Sequence, residues 1–532
     1  MPRTTQTAPA TPSTTKELKD TLWKAADKLR GSMDASQYKD VILGLVFLKY
    51  VSDAFDERRK TIRTELEADG YDTEQISALI DDTDEYTGRG VFWVPASARW
   101  GHLAENAKST EAERPIGALI DDAMDAVMHA NPQLAGTLPR VFNRESIDQR
   151  RLGELIDLFN SARFAGQGQS GESGRRARDL LGEVYEYFLE KFAAAEGKRG
   201  GEFYTPAGVV RVLVELLQPT HGRVYDPACG SGGMFVQAEK FLEAHHGEGS
   251  DISVYGQELN ERTWRMAKMN LAIHGLSGNL GPRWGDTFAR DLHPDLQADF
   301  IMANPPFNIK DWARNESDPR WRYGIPPAGN ANYAWIQHIL SKLAPGGQAG
   351  VVMANGSMSS NSGGEGQIRA EIIEADLVSC VVVLPTQLFR STGIPVCVWF
   401  FAKEKGKRAG EVLFIDARDL GHMVDRAERA LSDDDISKIA GTFHAWRGAE
   451  SDRTSETYSD VPGFAYSATL AEVKAADYAL TPGRYVGAAD LNGDHEPIEE
   501  TLARLHLELE KRFTESAQLA TAVRAQLRRI DV

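Results

Sequence analysis

The sequence predicts an α/β fold: a doubly wound, mostly parallel sheet with an all-helical N-terminal domain before it and a C-terminal helical tail after it. Three observations carry this. From about 222 to 402, short apolar runs alternate with helical segments (RVYD, SVYGQE, ADFIMAN, QAGVVMAN, LVSCVVVLP, VCVWFFA). That alternation is the pattern of βαβ units in a sheet covered on both faces. Upstream, LKDTLWKAADKLRG and YKDVILGLVFLKYVSDAFDERRKTIRTELEADG repeat apolar residues at spacings of three and four, with few strand signals. Downstream, Ile498, Leu502, Leu505 and Leu509 form a heptad-like stripe in 496–530, resumed by Leu519, Val523, Leu527 and Ile530 after a break around Arg512 and Ser516. Such a stripe suits a coiled coil or a helix docked on a partner, and packing against its own domain fits equally well.

A chain of 532 residues exceeds one ordinary domain. The polar start, 1–16, reads as a disordered tail without an apolar signal core. The helical domain spans 17–165. GQGQSGESG at 166–174 marks a joint within a linker, 166–178. The catalytic unit is expected over 179–415, and 416–532 is a C-terminal region ending in the assembly helix. Composition is that of a soluble globular protein, 42% hydrophobic and 26% charged. The apolar run VILGLVFL, 41–48, is too short to span a bilayer. Cys229, Cys380 and Cys397 show no CxxC spacing, against a disulfide framework or zinc site and in favour of a reducing cytoplasm. The net charge of −17 is repelled at long range by nucleic acid. If the chain works on DNA or RNA, a local basic face or a partner must supply the grip.

Ligands in open parallel sheets sit at the carboxyl ends of the strands, and the chemical motifs fall there. In VYDPACGSGGMFVQAEKFLEA a strand runs into Asp226, then a turn of Gly230, Ser231, Gly232 and Gly233, then a helix whose N-terminus faces the ligand. It is neither a Walker A loop nor GxGxxG. In VYGQELN, Glu258 ends the next strand, where an acid can accept both hydroxyls of a ribose. Asp286 of WGDTF occupies a turn from which it can accept from an adenine amine, although Asp is common in turns. In GGEFYTPAGVVRVLVELL, Thr205 and Pro206 read as N-cap and first helical residue, behind Phe203 and Tyr204. That helix end suits a carboxylate.

The strand DFIMA delivers Asn304, Pro305, Pro306 and Phe307 to the same edge. A Pro-Pro pair alone is most simply a rigid turn. In this company it suits methyl transfer to an exocyclic amine, whose lone pair is delocalised into the ring. Two acceptors aimed at the amine hydrogens stabilise the charge that develops: the Asn304 carboxamide oxygen and a backbone carbonyl, most simply that of Pro305. Phe307 offers a flat face to a base taken out of its stack. Neither a cysteine nucleophile nor a metal is needed.

Together these stretches resemble the adenine-N6 DNA methyltransferases, in the γ order of EFYTP, DPACGSGG and NPPF. More narrowly, the chain resembles the modification subunit of a type I restriction-modification system, through VILGLVFLKYVSDAFDERR, GKRGGEFYTPAGVVRVLVELLQP, VYDPACGSGGM, YGQELN, MAKMNLAIHG, ADFIMANPPFN and TPGRYVG. The resemblance implies an S-adenosylmethionine-dependent methyltransferase fold, with S-adenosyl-L-methionine as methyl donor and no metal. It places Glu202, Phe203, Tyr204, Thr205 and Pro206, with Ser231, Gly232 and Gly233, around the methionine part, Glu258 on the ribose and Asn304 to Phe307 around the adenine. It implies double-stranded DNA, a specificity subunit and a second modification subunit as partners in a bacterial cytoplasm, with a restriction subunit able to add nuclease activity. Arg175, Arg176, Arg178, Lys310, Arg320 and Arg322 are candidates to clamp the duplex, or simply a solvated surface. Glutamine methyltransferases acting on release factors and some ribosomal-RNA guanine methyltransferases share an NPP-aromatic motif. The helical N-terminal region, EFYTP and the terminal helix fit neither well. A non-catalytic assembly subunit is the reading from a different class, and the intact motifs argue against it.

Overall fold

A computed structural model describes residues 35–107, 114–161, 182–192, 205–246, 252–389, 395–448 and 458–488, plus isolated helical residues before 28 and after 505. The expected tail, the joint at 166–174 and most of the terminal stripe lie outside the described residues, as do Arg175, Arg176 and Arg178.

The N-terminal part is helical. Its longest helix, α1 (Ala35–Ala68), is followed by α2 (Ile116–Ala130) and α3 (Gln149–Ser161). Every residue from Val41 to Ser52 is buried, because this half of α1 is enclosed on all sides rather than lying on a surface. One side is the bundle. The other is α4 (182–192) and, further along the chain, α7 (Glu261–Ile273). Met266, Met269 and Ile273 of α7 belong to the same apolar cluster as Phe47, Val51 and Phe188. Tyr50 Oη donates to the Ile273 carbonyl at 2.9 Å and Tyr185 Oη to that of Met266 at 3.4 Å. The helical layer is thus keyed to one helix of the sheet domain.

The sheet domain opens with α5 (Ala207–Leu217), β1 (Gly222–Asp226), α6 (Gly233–His246) and β2 (Ile252–Gly256), then α7, β3 (Gly278–Asn279) and β4 (Ala298–Ala303). It continues through α8 (Asn332–Lys342), β5 (Leu343–Ala354), α9 (Glu365–Glu374), β6 (Val378–Val383), β7 (Val396–Ala402), β8 (Glu411–Asp416), α10 (Asp433–Arg447) and β9 (Ala465–Thr469). Strand order is β9-β8-β6-β7-β5-β4-β1-β2-β3. Only β7 and β9 run antiparallel to their neighbours. Order reverses where β1 lies between β2 and β4, the switch point at which such sheets open a crevice.

The strands read as continuous apolar runs because both faces are covered. Successive residues go to opposite cores: Val224, Phe300, Met302 and Val398 pack beneath α5, α6, α7 and α10, while Tyr225, Ile301, Ala303 and Trp399 pack beneath α8 and α9. Each such aliphatic side chain contributes about 1.5–3 kcal/mol by leaving water.

The sheet domain continues past residue 415, where the catalytic unit was expected to end. α10 lies on α5, with Arg211 bonded to Asp433 at 2.6 Å and His444 Nε2 to the Glu215 carbonyl at 2.8 Å, and β9 pairs with β8 in register. Polar composition after 415 concealed this, because one amphipathic helix and an edge strand each bury only one face. At the other end α4, expected to begin the catalytic unit, packs its apolar face into the helical core.

A long irregular segment, 304–331, joins β4 to α8 and is held by buried polar bonds. Asn308 and Asn332 bond reciprocally at 2.9 Å. Trp312 Nε1 donates to the Pro327 carbonyl at 3.2 Å and Gln337 Nε2 to that of Gly324 at 2.7 Å. Arg320, read from sequence as a candidate DNA contact, instead faces inward. It donates to the carbonyls of Thr287 at 2.8 Å and Phe288 at 3.0 Å, forks onto Asp318 and donates to His338 Nδ1 at 3.0 Å. Burial, then Arg320, pushes the His338 pKa down to about 3. The ring is therefore neutral, carries its proton on Nε2 and donates it to Tyr225 Oη at 3.1 Å. Arg320→Ala should cost about 2–4 kcal/mol by leaving two carbonyls unpaired and the Asp318 carboxylate with only the residue 320 backbone N–H. Arg320→Lys should recover only part of this, lacking the fork. Urea midpoints measure both, and a midpoint unchanged by Arg320→Ala would refute the role.

Candidate active site

At the switch point lies a cavity of about 520 Å³. Its walls come from segments far apart in sequence: Glu186 and Leu189 of α4, Thr205, Ala207 and Val210 at the start of α5, Asp226 to Ser231 with Gly233 and Met234 after β1, Glu258 to Asn260 after β2, Asp286 to Phe288, Asn304 and Pro306 after β4, and Ile309 to Trp312 with Trp335; Pro206 and Gly232 are not on the wall. Of the residues singled out in the sequence, Thr205, Asp226, Gly230, Ser231, Gly233, Glu258, Asp286, Asn304 and Pro306 line it. Glu202, Phe203 and Tyr204 lie outside the described residues.

The loop after β1 folds as its glycines allow. Gly230 and Gly232 have φ of 53° and 78°, a region that costs an L side chain energy. Gly232 N–H donates to the Cys229 carbonyl at 2.8 Å, closing the turn that starts α6. Asn270 Nδ2 holds this turn from α7 by donating to the Ser231 carbonyl at 2.9 Å. The first N–H groups of α6, which have no partner within the helix, belong to this same turn.

Glu258 is 5% exposed. One carboxylate oxygen accepts from Gly230 N–H at 3.1 Å, the other from Asn260 N–H at 2.8 Å. A carboxylate offers roughly four acceptor positions, so these bonds among the described residues leave room for a further donor. Burial raises its pKa, opposed by the bonds from Asn260 and Gly230. Asp226, 2% exposed, accepts from Ala228 N–H at 2.9 Å. Burial, with the Glu258 charge nearby, pushes its pKa up to about 8 despite that bond. Asp286 is half-buried and caps its own turn, accepting from Phe288 N–H at 2.8 Å.

Thr205 is not the N-cap of α5. That position is Pro206, with no side-chain cap bond. The Thr205 hydroxyl instead accepts from Asn304 Nδ2 at 3.0 Å. Pro305 is buried, and Phe307 is half-buried against the core under α5; neither is on the cavity wall. The aromatic wall is made by Phe288, Trp312 and Trp335, with Phe288 centred 4.3 Å from Trp335 and 4.9 Å from Trp312.

Several contributors escaped the sequence reading. Gln257, fully buried, donates to the carbonyls of Gly285 at 3.1 Å and Arg290 at 2.8 Å and accepts from Leu292 N–H at 3.0 Å. Its signal was available: a glutamine at a strand end, between a glycine and the acid. Asn270 Oδ1 is buried at the cavity with no protein donor among the described residues, an open acceptor of the kind a bound ammonium satisfies. Glu186 accepts from Lys240 at 2.7 Å and lies 3.1 Å from His274 Nε2. Burial pushes its carboxyl up, but His274 and Lys240 outweigh this and hold it below the usual range. Among the described residues no three His, Cys, Asp or Glu converge as a metal-ligand set, and no helix is long and apolar enough to cross a membrane.

Comparison with known proteins places relatives beside this geometry. The N-6 DNA Methylase family description matches residues 176–494, and the HsdM N-terminal domain matches 18–159. The type I restriction enzyme HindI methylase subunit of Haemophilus influenzae is 49% identical over 446 residues, 82% of this chain and 99% of that protein. The MjaIX methylase subunit of Methanocaldococcus jannaschii is 38% identical over 526 residues, 96% of this chain and 91% of its own length. In fold, the chain is similar to the crystal structure of a type I restriction-modification methyltransferase subunit from Streptococcus thermophilus: TM-score 0.71 at 24% identity, covering 89% of this chain and all of that one.

The raised Asp226 pKa has a consequence for stability. The folded chain holds a proton there between the ordinary carboxylate value of 3.8 and about 8, and the unfolded chain does not. Its contribution is therefore complete below the lower value and is lost as pH rises towards the upper. Asp226→Asn keeps the acceptor for Ala228 and removes the titration. Urea midpoints at pH 5, 6.5 and 8 should fall less with pH in the variant than in the wild type; equal slopes would contradict the assignment.

Proposed function

The chain belongs to the methylase subunits of type I restriction enzymes, within the N-6 DNA methylase family, and on that premise we propose how its cavity carries out methyl transfer to the N6 amine of an adenine in DNA. The observation that carries the reading is the position of Asn304. It stands at the carboxyl end of β4, lines one cavity with the glycine loop and Glu258, and has its amide nitrogen already bonded, so that its oxygen remains as acceptor. S-Adenosylmethionine, when bound, supplies an electrophilic methyl group.

The chain's own residues then divide the work. The turn of Gly230 to Gly233, the start of α5 and Asn270 Oδ1 hold the amino-acid end, the last as acceptor for its ammonium. The Glu258 carboxylate takes the ribose hydroxyls. Leu259, 64% exposed at the rim beside this carboxylate, gives the adenosine an apolar face. Asp286 lies beyond, where it accepts from the adenosine amine. At the other end, Asn304 Oδ1 accepts a hydrogen of the target amine. This favours the pyramidal nitrogen of the displacement and stabilises its developing positive charge. The aromatic wall of Phe288, Trp312 and Trp335 excludes water and strengthens each of these interactions.

Recognition of the target sequence falls to a separate specificity subunit, with a second copy of this chain in the assembly. The net charge of −17 favours this division, since an acidic chain does not attract the duplex by itself. Lys310, exposed on the cavity rim without an acidic partner among the described residues, supplies a local phosphate contact.

Asn304→Ala should bind S-adenosylmethionine with a Kd within about twofold of wild type by calorimetry, while methylation by the assembled complex falls about a hundredfold or more. Unchanged methylation would sink the role given to Asn304. In electrophoretic shift at 150 mM salt, roughly physiological, the isolated chain should bind duplexes weakly and without sequence preference. Tight, site-specific binding by this chain alone would overturn the division of labour.

A further inference from the structure

The bond between Asn304 and Thr205 joins residues 99 positions apart at 3.0 Å. A threonine directly before the proline that opens a helix is a favoured capping residue. Here the hydroxyl makes no cap bond, and α5 begins on Pro206 without side-chain help, its carbonyl receiving Val209 N–H at 2.9 Å. The Thr205 side chain is therefore directed away from its own helix and onto the turn after β4. Both residues line the cavity.

We propose that Thr205 is a positioning residue for methyl transfer, its hydroxyl holding the Asn304 carboxamide so that Oδ1 meets the target amine. This rests on the reading of Asn304 as the amine acceptor. The carboxamide is planar and turns freely about its last torsion unless something holds it. An acceptor for one of its N–H groups fixes that plane. Donation from the nitrogen also increases the negative charge on the oxygen of the same amide, making it a better acceptor. The hydroxyl thus acts through Asn304 rather than on the cofactor, a role different from the one the sequence suggested. The backbone at the start of α5 remains available for the cofactor's carboxylate.

The test uses the full chain assembled with its specificity subunit and target DNA. Thr205→Val keeps the shape and removes the acceptor; Thr205→Ser keeps the acceptor. The expected result is a fall of about tenfold in kcat for Thr205→Val, with the cofactor Kd within about twofold of wild type and kcat restored by Thr205→Ser. In the Asn304→Ala background, adding Thr205→Val should cause no further loss, because the two groups act as one unit. A weakened cofactor Kd with kcat unchanged would overturn the proposal and give the hydroxyl to the cofactor. Wild-type kcat in Thr205→Val, with Asn304→Ala inactive, would overturn the positioning role alone. Full activity of Asn304→Ala would remove the reading beneath it. A urea midpoint for Thr205→Val within error of wild type is expected; if it fell and Thr205→Ser shared both the fall and the lost kcat, the bond would be structural rather than positioning.

Discussion

The cavity depends on the dipeptide Gln257–Glu258 at the end of β2. Gln257 N–H donates to the Asp226 carbonyl at 3.0 Å and its own carbonyl receives Cys229 N–H at 3.0 Å, so the loop after β1 is stitched to β2 beyond the last paired residues. The Gln257 side chain draws in 285–292, and the Glu258 backbone receives Gly285 N–H at 2.8 Å. The Glu258 carboxylate ties Gly230 to the first turn of α7. Two adjacent residues therefore set the spacing of three loops. A buried amide whose donors and acceptors are all used is costly to disturb, because any shift leaves a group unpaired in a low-dielectric interior. This makes a loop-built site rigid without secondary structure of its own.

The fold explains why these loops meet at all. Seven strands run in one direction, so their carboxyl ends share an edge, and the reversal of order at β1 separates the helices on either side. The helical layer closes the remaining side through α7. That helix begins beside Glu258 with Asn260 as its N-cap, and it presents Asn270 to the glycine turn and Met269 and Ile273 to the core around α1. One element thus carries three sets of contacts on three faces. α4 repeats the arrangement from the other direction, with Phe188 in the helical core and Glu186 at the cavity bonded to Lys240 of α6.

What was legible in the sequence was local. Strands buried on both faces announce themselves as apolar runs, and the turn of Gly230 to Gly233 needs a conformation that only certain residues adopt cheaply. The position of the cavity followed from topology, which placed Asp226, Glu258 and Asn304 at one edge. What was not legible was pairing between distant segments. Nothing in ARNESDPRWRYG says that Arg320 will face inward to two carbonyls and a histidine. TP reads as a cap because capping is the commonest use of that pair, and the competing partner of Thr205 lies on another strand. Trp312 and Trp335 entered the wall through the fold of an irregular segment with no periodicity to read. The polar stretch after 415 hid α10 and β9 for a related reason: half-buried elements look like surface when only composition is weighed.

Charge gives the last constraint. The whole chain carries −17, and Arg320, one of the cations expected to face DNA, is committed to the interior. Ionic screening confines surface charges to about 8–10 Å at physiological salt. A rim cation such as Lys310 can therefore act once a phosphate is in contact, yet the encounter itself is governed by the net negative field. Chemistry and search make opposite demands on such a chain. The pocket must be dry, acidic at the ribose and furnished with an amide acceptor at the amine, whereas the search needs a broad positive surface. Under the proposed reading a second type of subunit meets the search demand. The catalytic chain is then free to be acidic, with its selectivity confined to recognising a base already delivered to the end of β4.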